Sequence, residues 1–255
     1  MSKPLIFVTN DDGISSPGII KLVKIARQHG EVVIIAPDKP QSGMGHAITI
    51  NSTLRLNKTN YHNVEMEFSC SGTPVDCVKM AVNKILKRKP DLVLSGINHG
   101  SNSSINVIYS GTMSAAIEGA LEGASSIGFS LCDYGIDADF DSAEKYIDKI
   151  ITQSLKHKMP KGTCLNVNIP KLKYDEIKGI KVCRQAKANW VEEFEERKDP
   201  YNRPYYWLTG KFVNFEPEAT DTDEWALKNS YISVVPTQCD LTAFDALDNF
   251  TKLLK

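Results

Sequence analysis

Asp11 and Asp12 stand side by side directly after the apolar run Leu5-Ile6-Phe7-Val8, and Gly13 closes the segment. Two neighbouring carboxylates raise each other's pKa unless a cation or several hydrogen-bond donors lie between them. A hard divalent cation answers that repulsion and also brings chemistry, because oxygen-rich sites suit magnesium, calcium or manganese. The plainer reading of Thr9-Asn10-Asp11-Asp12-Gly13 is a strand-to-turn junction, since Asn, Asp and Gly are common turn formers. Which reading holds depends on whether further oxygen donors converge on the pair.

Two other polar segments offer such donors. Pro37-Asp38-Lys39-Pro40-Gln41-Ser42-Gly43-Met44-Gly45-His46 follows the apolar residues 32–36, and Ser95-Gly96-Ile97-Asn98-His99-Gly100-Ser101-Asn102 follows Leu92-Val93-Leu94. A hydroxyl such as Ser42 and an amide such as Asn98 would complete an oxygen-only set with Asp11 and Asp12, leaving positions for water and phosphate. That mixture suits magnesium or manganese better than zinc. Each of the two neutral residues, taken alone, also fits ordinary turn hydrogen bonding. Ser110-Gly111-Thr112 precedes a helical pattern of Met113, Ala116, Ile117, Ala120 and Leu121. Such a turn is either an anion site at a helix start or a simple N-cap. His46 and His99 lie on two of these loops and read first as structural hydrogen-bonding groups, though either could donate to a phosphate oxygen or a leaving group.

The elements that must position these residues are legible in outline. Residues 5–8, 32–36 and 92–94 are continuous apolar runs, the signature of strands buried on both faces of a parallel sheet. Ser16-Pro17 and Thr73-Pro74 read as caps followed by proline at the first helical position. Ile19, Leu22, Val23 and Ala26 mark one helical face, and Val75, Val78, Val82, Ile85 and Leu86 mark a second. Further strands are expected at 127–131 and 164–169, with a helix outlined by Phe140, Ala143, Ile147, Ile150 and Ile151. Strands alternating with helices in this way predict a three-layer α/β fold with a mostly parallel sheet. In such sheets ligands bind beyond the carboxyl ends of the strands, and right-handed crossovers bring all three polar loops to that edge.

After about residue 180 the texture changes. Tyr201, Tyr205, Tyr206, Trp207 and Phe212 give aromatic segments broken by Pro200 and Pro204, with one more strand at 231–235. The expectation is a catalytic core over residues 1–184 and a β-rich extension of hairpins or an arm over 185–255, together forming one functional unit.

The bulk properties exclude several classes. With 255 residues, 42% hydrophobic and 24% charged, the chain has ordinary globular composition. Its 30 basic and 31 acidic residues argue against stable nucleic-acid binding or attraction to a membrane surface. Lys87-Arg88-Lys89 reads as a solvated helix end rather than a nucleic-acid site. The first apolar run is too short for a signal-peptide core and no stretch suits a membrane span, so a cytoplasmic location is expected. The six cysteines form no C-x-x-C pair and are read as reduced, core or near-core residues. The five histidines form no H-E-x-x-H motif, which gives no support to a zinc site.

In order and spacing, five motifs resemble the SurE (stationary-phase survival protein) nucleotidase family. They are Thr9-Asn10-Asp11-Asp12-Gly13-Ile14; Ala36-Pro37-Asp38 with Ser42-Gly43; Ser71-Gly72-Thr73-Pro74 with Asp76; Ser95-Gly96-Ile97-Asn98-His99-Gly100 with Asn102; and Ser110-Gly111-Thr112. The likeness continues through Phe194-Glu195-Glu196-Arg197, Tyr205-Tyr206-Trp207 and Tyr231-Ile232-Ser233-Val234, and covers nearly the whole chain. It implies a phosphatase, a 5'-nucleotidase, that hydrolyses nucleoside 5'- and 3'-monophosphates, with short polyphosphate as a further substrate of some members. It implies one divalent metal ion per subunit, Mg or Mn, on Asp11, Asp12, Ser42 and Asn98. Ser110, Gly111 and Thr112 map onto the phosphate-contacting element, beside Asn98, Gly100 and Asn102. The family also implies a Rossmann-like core whose C-terminal arms are exchanged between subunits of a homodimer or homotetramer.

The expected chemistry is metal-assisted hydrolysis of a phosphate monoester, with Asp11 taking a second role as proton acceptor. One rival is an aspartyl-phosphate phosphatase, but its second Asp usually lies two positions on, whereas the doublet here is adjacent. The other is a non-catalytic nucleotide-binding oligomer, which would leave its ligand intact.

Overall fold

The computed structural model describes residues 3–135 and 137–255. The chain runs β1 (Leu5–Thr9), α1 (Pro17–Ala26), β2 (Glu31–Pro37), β3 (Leu56–Lys58), β4 (Glu67–Cys70), α2 (Pro74–Met80), β5 (Leu92–His99), α3 (Gly111–Leu121), β6 (Ser125–Leu131), α4 (Glu144–Lys156), β7 (Thr163–Ile169), β8 (Gly179–Val182), β9 (Ala188–Lys198), β10 (Pro204–Asn214), α5 (Asp223–Lys228), β11 (Tyr231–Gln238) and α6 (Leu247–Leu253).

Alternate side chains of β1, buried along its whole length, divide the core into two. Ile6 and Val8 pack into a cluster with Ile19 and Leu22 of α1 and Ile147 and Ile151 of α4. Leu5 and Phe7 face the other way, onto Cys77 and Val78 of α2 and Ala115 of α3. The result is three layers, helix, sheet and helix. Each large apolar side chain fully buried here contributes about 1.5–3 kcal/mol, which is why the central strands read as unbroken apolar runs.

The sheet has nine strands in the order β3-β4-β2-β1-β5-β6-β7-β11-β8. From β4 through β7 all neighbours are parallel, β3 and β4 are antiparallel, and β11 runs antiparallel to β7 and parallel to β8. β1 lies between β2 and β5, so the strand order reverses beside it. That makes the carboxyl ends of β1 and β5 the switch point where an open α/β sheet binds ligands.

Several local expectations change. β3 and β4 lie in a stretch with no long apolar run. Glu67 on β4 is fully buried because its carboxylate accepts from the N–H groups of Tyr61 and His62 and the hydroxyl of Thr59. Ser16 does not cap α1 with its side chain; its Oγ instead accepts from Asn10 Nδ2 at 2.8 Å. Thr73 does cap α2, reciprocally with Asp76. That helix stops at Met80 and widens into a π turn at Ala81–Ile85, so Lys87, Arg88 and Lys89 lie beyond it, exposed, with Arg88 paired to Asp91 at 2.7 Å. Phe140 and Ala143 are buried ahead of α4 rather than within it.

β8 precedes residue 185 and β11 follows it, and both extend the main sheet. β9 and β10 form a separate two-stranded ribbon of eleven residue pairs, with Phe194, Tyr206, Trp207 and Leu208 more than half exposed. Among the described residues all six cysteines are free thiols, and no helix is long and apolar enough to cross a membrane.

Candidate active site

The loops after β1, β2 and β5 meet because their backbones bond to one another. Gln41 N–H donates to Asp11 O at 2.7 Å and Ile14 N–H to Pro37 O at 2.9 Å, drawing the β2 loop, with Ser42, onto the β1 loop. Gly13 makes the turn with φ +97°, a left-handed conformation that glycine adopts without strain. On the other side, His99 N–H donates to Asp12 Oδ2 at 3.3 Å. Between Ser95 and Asn98 the pairing of β5 with β6 shifts register, so three steps of β5 match two of β6. A bulge of this kind re-aims the side chains after it, here Asn98.

The meeting point is a cavity of about 190 Å³ lined by Asp11, Ser42, Asn98, Asn102 and Ser110, with His99, Tyr109 and Tyr134 among its other walls. Asp12 does not itself line it, but its Oδ2 accepts the N–H of the lining residue His99. Asn98 Nδ2 donates to the carbonyls of His99 and Gly100, at 3.0 and 2.9 Å. Both amide hydrogens are therefore engaged, and Oδ1 is the atom left for a ligand. Asn102 is fixed beneath by Asn168, which accepts its N–H at 2.8 Å, and by Ser130, which accepts from its Nδ2 at 2.8 Å.

α3 begins at the cavity wall, with Ser110 Oγ accepting from Met113 N–H as the cap. The anion nearest its first turn is Asp11 itself. Thr112 Oγ1 donates to Asp11 Oδ1 at 2.5 Å, and a Cβ on Gly111 would lie 2.7 Å from Asp11 Cβ. Of the three residues expected to contact phosphate in this turn, Ser110 lines the cavity while Gly111 and Thr112 back Asp11. Gly100 lies under the Tyr134 ring, which a Cβ there would meet at 2.1 Å.

The electrostatics follow from burial. Asp11 is buried, and burial pushes its carboxyl above the usual range against the pull of the Thr112 hydroxyl and the backbone of Thr112 and Gly111. Asp12 is pushed up to about 6, by burial first and by the charge of Asp11 second. Neither carboxylate has a lysine or arginine partner among the described residues. Among those residues no three or more His, Cys, Asp or Glu side chains cluster as metal ligands either. A cation at Asp11 and Asp12 must therefore draw on neutral oxygens, and the Asn98 amide is oriented to give one. The donor set fits a hard, oxygen-seeking ion.

Asn106, Tyr109 and Tyr134 were not anticipated in the cavity wall. The first two fall between the Asn98–Asn102 and Ser110–Thr112 motifs, and that interval was the available signal. His46 lies away from the cavity, its Nε2 2.9 Å from Glu118 Oε2 on α3.

The model of the family described as Survival protein SurE matches residues 6–192. A protein of Flavobacterium psychrophilum named 5'-nucleotidase SurE is 62% identical over 97% of this chain and 96% of its own length. One of the same name from Flavobacterium johnsoniae is 64% identical over 94% of this chain and 93% of its own. The crystal structure of the SurE protein from Aquifex aeolicus superposes with a TM-score of 0.85 at 40% identity, covering 99% of this chain and all of that one. With its doubled aspartate at the switch point of the sheet, the chain belongs to the SurE family.

Proposed function

We propose that this chain is a divalent-metal-dependent phosphatase that hydrolyses nucleoside 5'- and 3'-monophosphates to nucleoside and phosphate, with short polyphosphate as a secondary substrate. The observation that carries the reading is the buried Asp11 carboxylate. Among the described residues it has no lysine or arginine paired to it, and it shares its cavity with Ser42 and with the Asn98 amide, whose N–H groups are both engaged. The relatives named 5'-nucleotidase SurE support the substrate class.

Asp11, Asp12, Ser42 and Asn98 would hold one Mg or Mn ion per subunit. When bound, such an ion supplies Lewis acidity toward a phosphoryl group and makes water a nucleophile at neutral pH. Asp11 is the proton acceptor for the attacking water, held in place by Thr112. Ser110 and Asn102, on the cavity wall, orient the phosphoryl oxygens and share the charge that develops on them. Tyr134 and His99 complete the cavity wall beside these donors. Uncatalysed monoester hydrolysis needs up to ~10²¹-fold acceleration, so the cavity acts as a whole rather than through one base.

The β9–β10 ribbon and α6, with Phe194, Trp207, Phe244 and Phe250 exposed, are the surfaces through which subunits of a homodimer or homotetramer exchange arms. The proposed setting is the cytoplasm.

The test is phosphate release from 5'- and 3'-monophosphates and tripolyphosphate, with and without a chelator, for the native chain and for Asp11→Asn. Turnover should vanish with chelator, return with Mg or Mn, and drop at least ~10³-fold in the variant. Chelator-resistant turnover, or an Asp11→Asn protein of native activity, would refute the assignment. A nucleotide left intact after long incubation with either metal would instead favour a binding protein.

A further inference from the structure

A second cavity, of about 590 Å³, opens beside the phosphate cavity and shares two of its walls, Gly43 and Tyr109. Its remaining lining comes from the ribbon: Trp190 on β9, and Leu208, Thr209 and Gly210 on β10. The placement of Trp190 is not incidental. Its Nε1–H donates at 2.8 Å to the Oδ1 of Asn106, a residue of the phosphate cavity wall. Its ring also packs edge-to-face on Phe212, with centroids 5.6 Å apart at 64°. The indole is thus held by a hydrogen bond and a ring contact, while Trp190 stays 39% exposed. Tyr109 is 49% exposed, with its backbone fixed by Gly45 N–H at 3.1 Å.

The chemistry of this lining defines its occupant. Among the described residues it contains two aromatic rings, a leucine, two glycines and a threonine, and no charged side chain. The Thr209 hydroxyl donates to Glu193 O at 2.8 Å, so its proton is already engaged, and the described lining holds no side-chain amide, carboxylate or guanidinium to read a polar edge. Such a surface suits a flat, uncharged aromatic group attached to whatever sits in the adjoining anion site. We propose that this cavity is the nucleoside subsite, with Trp190 the residue on which the base stacks. The proposal rests on the nucleotidase reading above and deepens it. Stacking without edge readout is tolerant of sequence, because every base has a π-face, so purine and pyrimidine nucleotides should be accepted alike.

The experiment compares kcat/KM for AMP and CMP with that for glycerol 2-phosphate, which carries no ring. The ratio of nucleotide to glycerol ester is measured in the native protein and in Trp190→Ala, Trp190→Phe and Leu208→Glu. The ratio should fall about tenfold in Trp190→Ala, chiefly through KM, and stay within about threefold of native in Trp190→Phe. Leu208→Glu, a charge introduced from the opposite strand, should lower it independently. A native ratio in a folded Trp190→Ala or Leu208→Glu protein overturns the subsite. An equal fall for all substrates, accompanied by a changed oligomeric state, also overturns it, because the ribbon then serves another subunit. A native protein that cleaves glycerol 2-phosphate but no nucleotide defeats the nucleotidase reading instead.

Discussion

Thr112 donates its hydroxyl to Asp11 Oδ1 across 2.5 Å, although the two residues are 101 positions apart. The contact ties the first turn of α3 to the end of β1 and fixes the carboxylate that the site depends on. If Asp11 is a metal ligand as proposed, this hydrogen bond from behind sets its orientation, and losing such a bond typically costs 10–100-fold in affinity or activity. Thr112→Val keeps the shape and removes the donor. It should weaken metal binding and lower kcat by about 10–100-fold, and Thr112→Ser should restore most of both. Calorimetric titration with Mn beside steady-state turnover checks this; loss in kcat with native metal affinity would place the hydroxyl's role elsewhere.

Gly111 makes the same point sterically. A Cβ there would lie 2.7 Å from Asp11 Cβ and 2.9 Å from its Oδ2. Real Cβ atoms do not approach so closely, so Asp11 or the helix start must move. Gly111→Ala should therefore depress metal affinity and kcat together by at least about tenfold, while far-ultraviolet circular dichroism stays native. Unchanged turnover would show that the site accommodates a displaced Asp11.

Glu118, two turns further along α3, gives a pH prediction away from the site. Its side chain is buried, with Oε2 2.9 Å from His46 Nε2 and Oε1 2.5 Å from Lys79 Nζ. Burial works to raise its carboxyl, but the hydrogen bonds from His46 and Lys79 prevail and hold it below its ordinary value of 4.5. A carboxyl depressed in the fold stabilises fully above the unfolded pKa, and that contribution is lost as pH falls through the lower folded pKa. Native protein should thus be more stable than Glu118→Gln by about 1–3 kcal/mol near neutrality. The gap should persist to about pH 5 and close below 4.5. A gap that widened in acid would contradict the sign.

What the residue pattern disclosed and what it hid have one physical cause. β1, β2 and β5 could be read because strands buried on both faces must be apolar throughout, and the polar loops after them inherit a common edge from right-handed connections. β4 could not, because the buried Glu67 satisfies its carboxylate with three local donors and leaves no apolar signature. Ser16 carried the sequence mark of a cap, but the Asn10 amide engages its hydroxyl. In the site, Asp11, Ser42 and Asn98 could be named from type and position. Their arrangement could not, because it hangs on backbone bonds such as Gln41 N–H to Asp11 O and on the register shift of β5. The Trp190–Asn106 contact lies further out of reach, since it joins a ribbon to a loop with no periodicity to announce it.

Asp223, at the start of α5, couples the C-terminal region to the site loop. Its Oδ2 accepts the Ser104 N–H at 2.8 Å, and its Oδ1 accepts those of Ala186 at 2.9 Å and Glu224 at 2.8 Å. Burial pushes this carboxyl up, and the three N–H groups pull it down without prevailing. The aspartate is used as an acceptor on both oxygens, and asparagine has only one. Whichever way the amide of Asp223→Asn turns, its NH₂ faces a buried N–H, leaving a donor unmatched at a cost of about 1–3 kcal/mol. For a chain of this length that is a fall in Tm of about 2–6 °C. Ser104 follows Asn102 by two residues, so the strain should reach the cavity and raise KM for nucleotide. Asp221→Asn is the control: Asp221 is exposed, and its partner Arg184 keeps Glu216 at 2.6 Å. That variant should leave both Tm and KM near native. Equal effects from the two substitutions would show that Asp223 acts through surface charge rather than by bridging the tail to the loop that walls the site.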